Sequence, residues 1–220
     1  MKFIKKETFY PFPVHEWNLP AGHTCPFAKD CKIMVNRYSG KFNIIGDKFR
    51  CYAAISERFP AVRNMRWKNY EEVVELLKKK EIIQIPPRAT HIRIHGSGDF
   101  FSQEYFDMWL EVCRRNPKVK FWAFTKSLQF WINRLDQIPE NLTLQASKGG
   151  FQDNLIKVYN LKYAEVFTDI GEAIRSGLPI DTDDTYAMSG NQSFALLDNN
   201  KYSKKVPIQE LIDNFIKTSK

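Results

Sequence analysis

The sequence predicts a single-domain α/β protein built on a parallel β-sheet. Its 220 residues are enough for one sizeable hydrophobic core. From residue 90 onward, strand-like segments alternate with single helical segments, a pattern that forms right-handed βαβ units. No linker, internal repeat or low-complexity tract divides the chain. The sheet is therefore expected to be either open or curled toward an incomplete barrel.

The predicted elements follow from local composition and spacing. Strands are expected at residues 90–95, 118–124, 142–146 and 164–168, and helices at 69–80, 103–115, 128–135, about 151–159 and from Pro207 onward. Pro11, Pro13 and Pro20 exclude a helix near the start. The chain is accordingly divided into an extended N-terminal arm packed on the body (1–20), a loop-rich cysteine region (21–51), a βα core (52–180) and a C-terminal segment with a helix (181–220).

Composition limits the possible partners and locations. The formal net charge of +8 fits either a solvated basic surface or a nucleic-acid or other polyanionic partner, because the lysines and arginines are dispersed. No run of 18 apolar residues is present, so no membrane span is expected. The first residues lack the apolar region of a signal peptide, and we expect a cytoplasmic protein with reduced thiols. The sequence does not indicate an oligomeric state.

Three cysteines near the start of the chain predict a metal centre. Cys25, Cys31 and Cys51 have the spacing C-x5-C-x19-C in a segment without helical periodicity. Three thiolates can hold an iron–sulfur cluster with one coordination position open. The same thiolates could bind zinc with His23 or His15 as a fourth ligand, or they could be three unrelated buried thiols.

The ends of the predicted strands carry polar, small or charged residues. These ends are residues 95–99, 125–127, 147–150 and 168–169. Ligands of parallel α/β sheets bind outside the carboxyl ends of the strands. Gly96 and Gly98 would let the backbone approach a ligand closely, and Asp99 could accept a hydrogen bond from an ammonium group. The alternative is a tight strand-to-helix turn in which Asp99 and Ser102 only cap the next helix.

Several further side chains have both a functional and a structural interpretation. His91 and His95 are expected on one face of the sheet, with His95 the better ligand or acid–base candidate, although either could be a core histidine. Lys126 and Lys148 could contact a carboxylate or phosphate, or they could be solvated loop lysines. Cys113 is expected in the core, on the buried face of a helix. The candidate cofactor-binding residues are therefore His95, Ser97, Gly98, Asp99, Lys126 and Ser147, and the candidate metal ligands are Cys25, Cys31 and Cys51.

Five sequence blocks in order resemble the phage "gene product 88" family. They are residues 19–26, Cys31, residues 51–53, residues 94–102 and residues 121–127. The resemblance extends over roughly residues 19–150 and implies a phage protein located in the host cell cytoplasm. It implies little about chemistry.

A more distant likeness is to radical S-adenosylmethionine enzymes. It implies parallel βα repeats in an incomplete (partial TIM-like) barrel, and a [4Fe–4S] cluster held by Cys25, Cys31 and Cys51. Residues 97–99 match the motif that contacts the cofactor's amino group, which places Asp99 near that group. The implied reaction is one-electron cleavage of S-adenosylmethionine followed by hydrogen abstraction from an unidentified substrate. The sequence departs from those enzymes in its wider cysteine spacing.

Two other hypotheses stay open at this stage. The first is a zinc-stabilised, non-catalytic module that binds nucleic acid or a host protein, with His23 completing the ligand set. The second is a metal-free barrel with a small-molecule pocket at the same strand ends.

Overall fold

The computed structural model describes residues 1–7, 10–49, 51–199, 201–202 and 208–218. Its strands are β1 (Ile4–Lys6), β2 (Val14–Asn18), β3 (Ile33–Val35), β4 (Phe42–Ile44), β5 (His91–Ser97), β6 (Lys120–Thr125), β7 (Leu142–Ser147), β8 (Tyr163–Phe167) and β9 (Phe194–Leu197). Seven of them form one sheet in the order β1-β2-β5-β6-β7-β8-β9, and β3 and β4 form a separate hairpin.

The large sheet is parallel except at one edge. β1 is antiparallel to β2, and every other neighbouring pair, from β2–β5 to β8–β9, is parallel. The spatial order follows the chain order, so each successive strand adds to the same side of the sheet. The prediction of an α/β protein with a parallel sheet is therefore confirmed. Among the described strands, no pairing joins β1 to β9.

Seven helices lie between these strands, and an eighth follows the last of the described strands. They are α1 (Tyr52–Ser56), α2 (Pro60–Lys79), α3 (Gln103–Arg115), α4 (Leu128–Ile132), α5 (Asn154–Val158), α6 (Ile170–Arg175), α7 (Thr185–Ser189) and α8 (Ile208–Thr218), with a 3-10 turn at Leu135–Gln137. The prediction for α3 is correct at both ends. Ser102 caps that helix by accepting a 3.2 Å hydrogen bond from the Tyr105 N–H.

Other helix boundaries differ from the sequence prediction. α2 begins at Pro60 instead of residue 69 because its first turns bury Arg63, Arg66 and Asn69, which hide the apolar periodicity. The helix predicted at 128–135 is divided into α4 and the 3-10 turn. The helix predicted at about 151–159 is shortened to α5. Pro207, the predicted start of the last helix, lies outside the described residues.

The two faces of the sheet bury two different cores. Ile92, Ile94 and Phe121 pack with Trp109 of α3 on the outer face. Because side chains alternate along a strand, Trp122 lies on the opposite, inner face, where it packs with the core residues Tyr10, Val14, Ala164, Ala187 and Phe194. Ala187 belongs to α7, so this short helix covers the inner face.

The N-terminal arm and the C-terminal segment are parts of the sheet. The arm is extended as predicted, but it is not merely packed on the body, because β2 pairs in parallel with β5. Pro11 and Pro13 precede β2 and Pro20 follows it, so none of them removes a hydrogen-bond donor from the strand. β9 likewise extends the sheet beyond residue 180. The βα core therefore extends beyond residues 52–180 in both directions.

Candidate functional site

The loop that carries Cys25 is attached to the carboxyl end of β5. The Leu19 N–H donates to the Ser97 carbonyl and the Ser97 hydroxyl donates to the Leu19 carbonyl, both at 2.9 Å. Gly98 has a φ of +87°, and a Cβ atom there would lie 2.6 Å from the Thr24 hydroxyl oxygen. Gly98 is therefore needed for the close approach between the cysteine loop and the strand end.

The same loop is attached on its other side to the end of β7. The backbone N–H groups of Lys29 and Asp30 donate to the Gly149 carbonyl at 3.3 and 3.0 Å. The Phe151 N–H donates to the Phe27 carbonyl at 2.9 Å. The cysteine loop thus lies across the carboxyl edge of the sheet, where ligands of parallel sheets bind.

The wide gap between Cys31 and Cys51 is occupied by the hairpin of β3 and β4. The N–H groups of Ile45 and Gly46 donate to the Lys32 carbonyl at 2.9 and 2.8 Å, which closes the base of the hairpin. The chain leaves the site after Cys31 and returns to it before Cys51. This insertion explains the long spacing, and it shows that the segment predicted to be loop-rich also contains two short strands.

The three predicted ligand thiols lie close enough to affect one another electrostatically. Burial is the main cause of the raised pKa of Cys25, and the nearby Asp99, Cys51 and Cys31 raise that pKa further. Burial raises the pKa of Cys51 to about 11, and Cys31 is the next contributor. Residues that are distant in sequence therefore converge on one region of the sheet edge.

Nearby positive groups oppose the effect of burial on these thiols. Lys126 lowers the pKa of Cys31, which burial otherwise raises. The N–H groups of Ala54 and Ala53, in α1, and then the Arg66 guanidinium lower the pKa of Cys51. These groups would stabilise thiolates, which are the forms that bind metal.

Asp99 connects the ends of β5 and β6. Its Oδ1 accepts hydrogen bonds from the Thr125 hydroxyl at 2.6 Å and the Phe100 N–H at 2.7 Å, and its Oδ2 accepts from the Lys126 N–H at 2.8 Å. Burial raises the pKa of Asp99 to about 6, although these three donors act in the opposite direction. Asp99 is therefore a fixed carboxyl group beside Cys25 and Cys31.

Lys126 and Ser147 connect the next two strand ends. The buried Lys126 ammonium donates to the Ser147 carbonyl at 2.9 Å, the Ser147 hydroxyl at 2.8 Å and the Lys148 carbonyl at 2.7 Å. Lys148 extends outward and pairs with Glu165 at 2.7 Å. The structure therefore separates the two candidate lysines, because Lys126 is buried and lowers the pKa of Cys31, whereas Lys148 pairs with Glu165.

His95 does not join the other candidate residues. Its φ of +63° interrupts the alternation of β5, so that His95 and His91 do not share a face as predicted. The buried His95 ring lies 2.9 Å from the Tyr105 hydroxyl and packs edge-on against Phe100 in the outer core. Burial lowers its pKa to about 3. The His91 ring stacks on Phe12 instead.

The remaining candidate residues have structural partners. His23 Nε2 lies 3.0 Å from the Val35 carbonyl, and the His23 ring packs edge-on against Trp67, on the side of the hairpin. Cys113 is fully buried in the outer core, as predicted. No group of three or more His, Cys, Asp or Glu side chains within the described residues is arranged to hold a metal ion.

A charged network on the inner face was not predicted from the sequence. Arg93 Nη1 lies 3.1 Å from Asp184 Oδ2 and 3.7 Å from Glu16 Oε1, and Asp184 Oδ2 accepts a 2.8 Å hydrogen bond from Tyr10. Tyr52, next to Cys51, is 45% exposed and donates a hydrogen bond from its hydroxyl to the Gly96 carbonyl at 3.0 Å. The feature of the sequence that could have indicated this network is Arg93, a charged residue between two apolar residues of a strand.

Fold and site together define a class of protein: an α/β protein with three clustered thiols at the carboxyl edge of a mostly parallel sheet. The sequence model of the family described as "Gene product 88" matches residues 3–208, and the chain belongs to this family. The Gene 88 protein of Mycobacterium phage L5 is 44% identical over 55 residues, which are 25% of this chain and 23% of that protein. These findings support a phage protein.

The similarity to the mycobacteriophage protein covers only a part of each chain. The chain spans less than a quarter of the length of its mycobacteriophage relative, at 23%. No solved structure matches. Within the described residues, no helix combines the length and apolar character needed to cross a bilayer.

Proposed function

We propose that this chain is an iron–sulfur protein in which Cys25, Cys31 and Cys51 hold a [4Fe–4S] cluster. The observation that supports this proposal is the convergence of the three thiols at the carboxyl edge of the sheet, where Cys51 and Cys31 raise the pKa of Cys25 and Cys31 raises the pKa of Cys51. Three thiolates leave one coordination position of a four-iron cluster open. Cluster binding requires deprotonation of the thiols, which Lys126 and Arg66 favour.

The same edge has features suited to S-adenosylmethionine. Asp99 Oδ2 accepts one hydrogen bond from the protein, so this oxygen can accept another from the ammonium group of an amino acid. Ser97 and Gly98 hold the cysteine loop against the strand, and Lys126 fixes Ser147 at the end of β7. When bound, a reduced cluster supplies the single electron that cleaves S-adenosylmethionine.

The finer architecture that we propose is a partial TIM-like barrel. The parallel strands follow one another around the sheet in chain order, which is the arrangement of a (β/α) barrel, whereas doubly wound sheets reverse direction at a switch point. We also place the protein in the host cell cytoplasm, where reducing conditions would keep the three thiols available for metal.

The first test is metal and sulfide content after purification without oxygen. We expect iron and acid-labile sulfide in near-equal amounts, with visible absorption that bleaches on addition of dithionite. Cys25→Ser, Cys31→Ser and Cys51→Ser should each remove most of the iron. Cys113→Ala, which removes the fourth thiol from the outer core, is the matched control and should retain it. One tightly bound zinc and no sulfide would instead support the zinc module.

The second test concerns the cofactor. Reduced, iron-loaded protein should convert S-adenosylmethionine to methionine and 5′-deoxyadenosine, measured by mass spectrometry. Binding alone is tested by the change that S-adenosylmethionine causes in the electron paramagnetic resonance spectrum of the reduced cluster. A spectrum that does not change at saturating S-adenosylmethionine, in protein that contains iron and sulfide, would reject this cofactor and leave the cluster proposal intact.

A further inference from the structure

The tip of the β3–β4 hairpin and the segment beside it expose three aromatic side chains. Tyr38 is 85% exposed, Phe42 is 43% exposed and Phe59 is 52% exposed. All three residues of β4 are exposed, whereas Ile33 and Val35 of β3 are buried in a small core under the hairpin. β4 is therefore the exposed strand of the hairpin, and none of its residues belongs to the core under β3.

Basic residues lie among these aromatic residues. We define the hairpin surface as Arg37, Tyr38, Lys41, Phe42, Arg58 and Phe59. The Arg37 guanidinium lies 5.9 Å from the Tyr38 ring, and the Arg58 guanidinium lies 4.7 Å from the Phe59 ring. Glu71 pairs with Arg37 at 2.5 Å. Glu71 neutralises Arg37, which leaves Lys41 and Arg58 as the cations of this surface that pair with no acidic side chain among the described residues.

A buried arginine joins the two parts of this surface. Arg63 donates through Nε to the Arg37 carbonyl at 2.7 Å and through Nη2 to the Tyr38 carbonyl at 3.3 Å. Its Nη1 donates to the carbonyls of Glu57 and Arg58 at 2.6 and 3.3 Å. The hairpin tip is thereby fixed beside residues 58–59, so the aromatic and basic groups form one surface in the folded protein.

We propose that the hairpin surface binds single-stranded nucleic acid. Proteins that bind single strands combine cations for the phosphates with exposed aromatic rings on which unpaired bases stack. Stacking on such rings depends little on the base sequence, because every base has a π-face. The aromatic rings favour this partner over an acidic protein, which the cations alone could attract.

The position of the surface connects it with the candidate site. Cys31 and Tyr38 are seven residues apart, so the extended chain separates them by at most about 25 Å. The hairpin is inserted between two predicted ligands, and a strand held by it would lie near the carboxyl edge of the sheet. That the bound strand is the substrate rests on the proposed function, whereas binding itself does not.

The experiment measures fluorescence anisotropy of a labelled oligothymidylate of about 20 nucleotides at about 0.1 M salt. The test variant is Y38A/K41A/F42A, which removes only exposed side chains. The matched control is F151A/K157A/Y159A, which removes the same three residue types from an exposed region near α5. We expect the test variant to bind about tenfold or more weakly than the wild type, and the control to bind as the wild type does.

Two further measurements make the outcome decisive. Lys41→Ala alone should reduce the slope of log affinity against log salt by about 0.7, as expected for one lost phosphate contact. A blunt-ended duplex should bind more weakly than the single strand, because its bases are not available for stacking. Equal affinity of the test and control variants, or equal affinity for duplex and single strand, would overturn the proposal.

The same protein samples separate this proposal from the cluster proposal. The Y38A/K41A/F42A variant should keep its iron and sulfide, because the hairpin surface contains no predicted ligand. Cys51→Ser should lose iron, and its affinity for the oligothymidylate should be measured at the same time. Binding that persists without iron supports the hairpin surface independently, whereas absence of binding in iron-loaded wild-type protein rejects the hairpin surface alone.

Discussion

The Thr125 hydroxyl donates a 2.6 Å hydrogen bond to Oδ1 of Asp99 and so joins the ends of two neighbouring strands beside the cysteine loop. Asp99→Asn would place an amide N–H₂ opposite a donor, either the Phe100 N–H or the Lys126 N–H. We expect the free energy of unfolding in urea to fall by about 1–3 kcal/mol. The exposed Asp136→Asn makes the same chemical change and should have almost no effect; equal losses in both variants would contradict the role of Asp99.

Gly98 should tolerate a methyl group less well than another glycine of similar backbone conformation. Gly98 and Gly177 have φ values of +87° and +71°, but an added Cβ at Gly177 meets nothing within 4 Å. Gly177→Ala should therefore cost only the backbone strain of about 1–2 kcal/mol. Gly98→Ala should cost more and should also lower iron retention, because its Cβ would displace Thr24 and the cysteine loop. If thermal melts show equal costs, the proposed close packing is wrong.

Lys126→Met tests the buried ammonium between β6 and β7. The substitution leaves the Ser147 carbonyl, the Ser147 hydroxyl and the Lys148 carbonyl without this donor, and it removes the cation that favours the Cys31 thiolate. We expect a loss of about 1–3 kcal/mol in urea unfolding and a lower iron content. Lys148→Met, which breaks the partly exposed pair with Glu165, should change stability by less than about 1 kcal/mol. A larger loss of stability in Lys148→Met than in Lys126→Met would show that Lys148, and not Lys126, stabilises the strand ends.

His95 should make the folded protein sensitive to acid. Burial lowers the pKa of His95 to about 3, whereas the unfolded chain takes up the proton near pH 6.5. The contribution of neutral His95 to the free energy of unfolding is present above pH 6.5 and is lost progressively as the pH falls toward 3. Between pH 7 and pH 5, wild-type protein should lose about 2 kcal/mol more than His95→Asn, because the asparagine does not titrate.

The pH experiment compares wild type with His95→Asn because the titration of Asp99 changes stability with pH in the direction opposite to that of His95. The raised pKa of Asp99, about 6, causes stability to fall as the pH rises from about 4 to 6. This contribution is common to wild type and variant and cancels in their difference. Parallel pH profiles from urea titrations would show that His95 is not the titrating group.

The sequence predicted those helices and strands whose capping residues and apolar spacing match the way they are buried in the folded protein. α3 has a capping serine, an apolar stripe and basic residues at its end, and its bounds are correct at Gln103 and Arg115. The strands around Ile92, Phe121 and Leu144 are alternating or apolar and were predicted within a few residues. The sequence also indicated which strand ends would carry polar groups, because parallel strands terminate on one edge.

Local signals failed where tertiary contacts supply the stabilisation. β2 lies between prolines and forms because it pairs with β5 more than 70 residues away in sequence. α2 begins early because Arg63 donates to the Arg37 carbonyl of the hairpin and Arg66 donates to the Ala53 carbonyl of α1, contacts that no periodicity reveals. His95 leaves its expected face because of a positive φ angle that is stabilised within the outer core.

By itself, the sequence determined the fold class, the three thiols and the polar strand ends, since residue type and period are local properties. Only the tertiary structure decided which of these groups meet. It placed the loop of Cys25 and Cys31 across the edge, folded the residues before Cys51 into a hairpin and bonded the Lys126 ammonium to the end of β7. Convergence depends on backbone hydrogen bonds between segments far apart in sequence, and these bonds form only once the sheet brings the segments together.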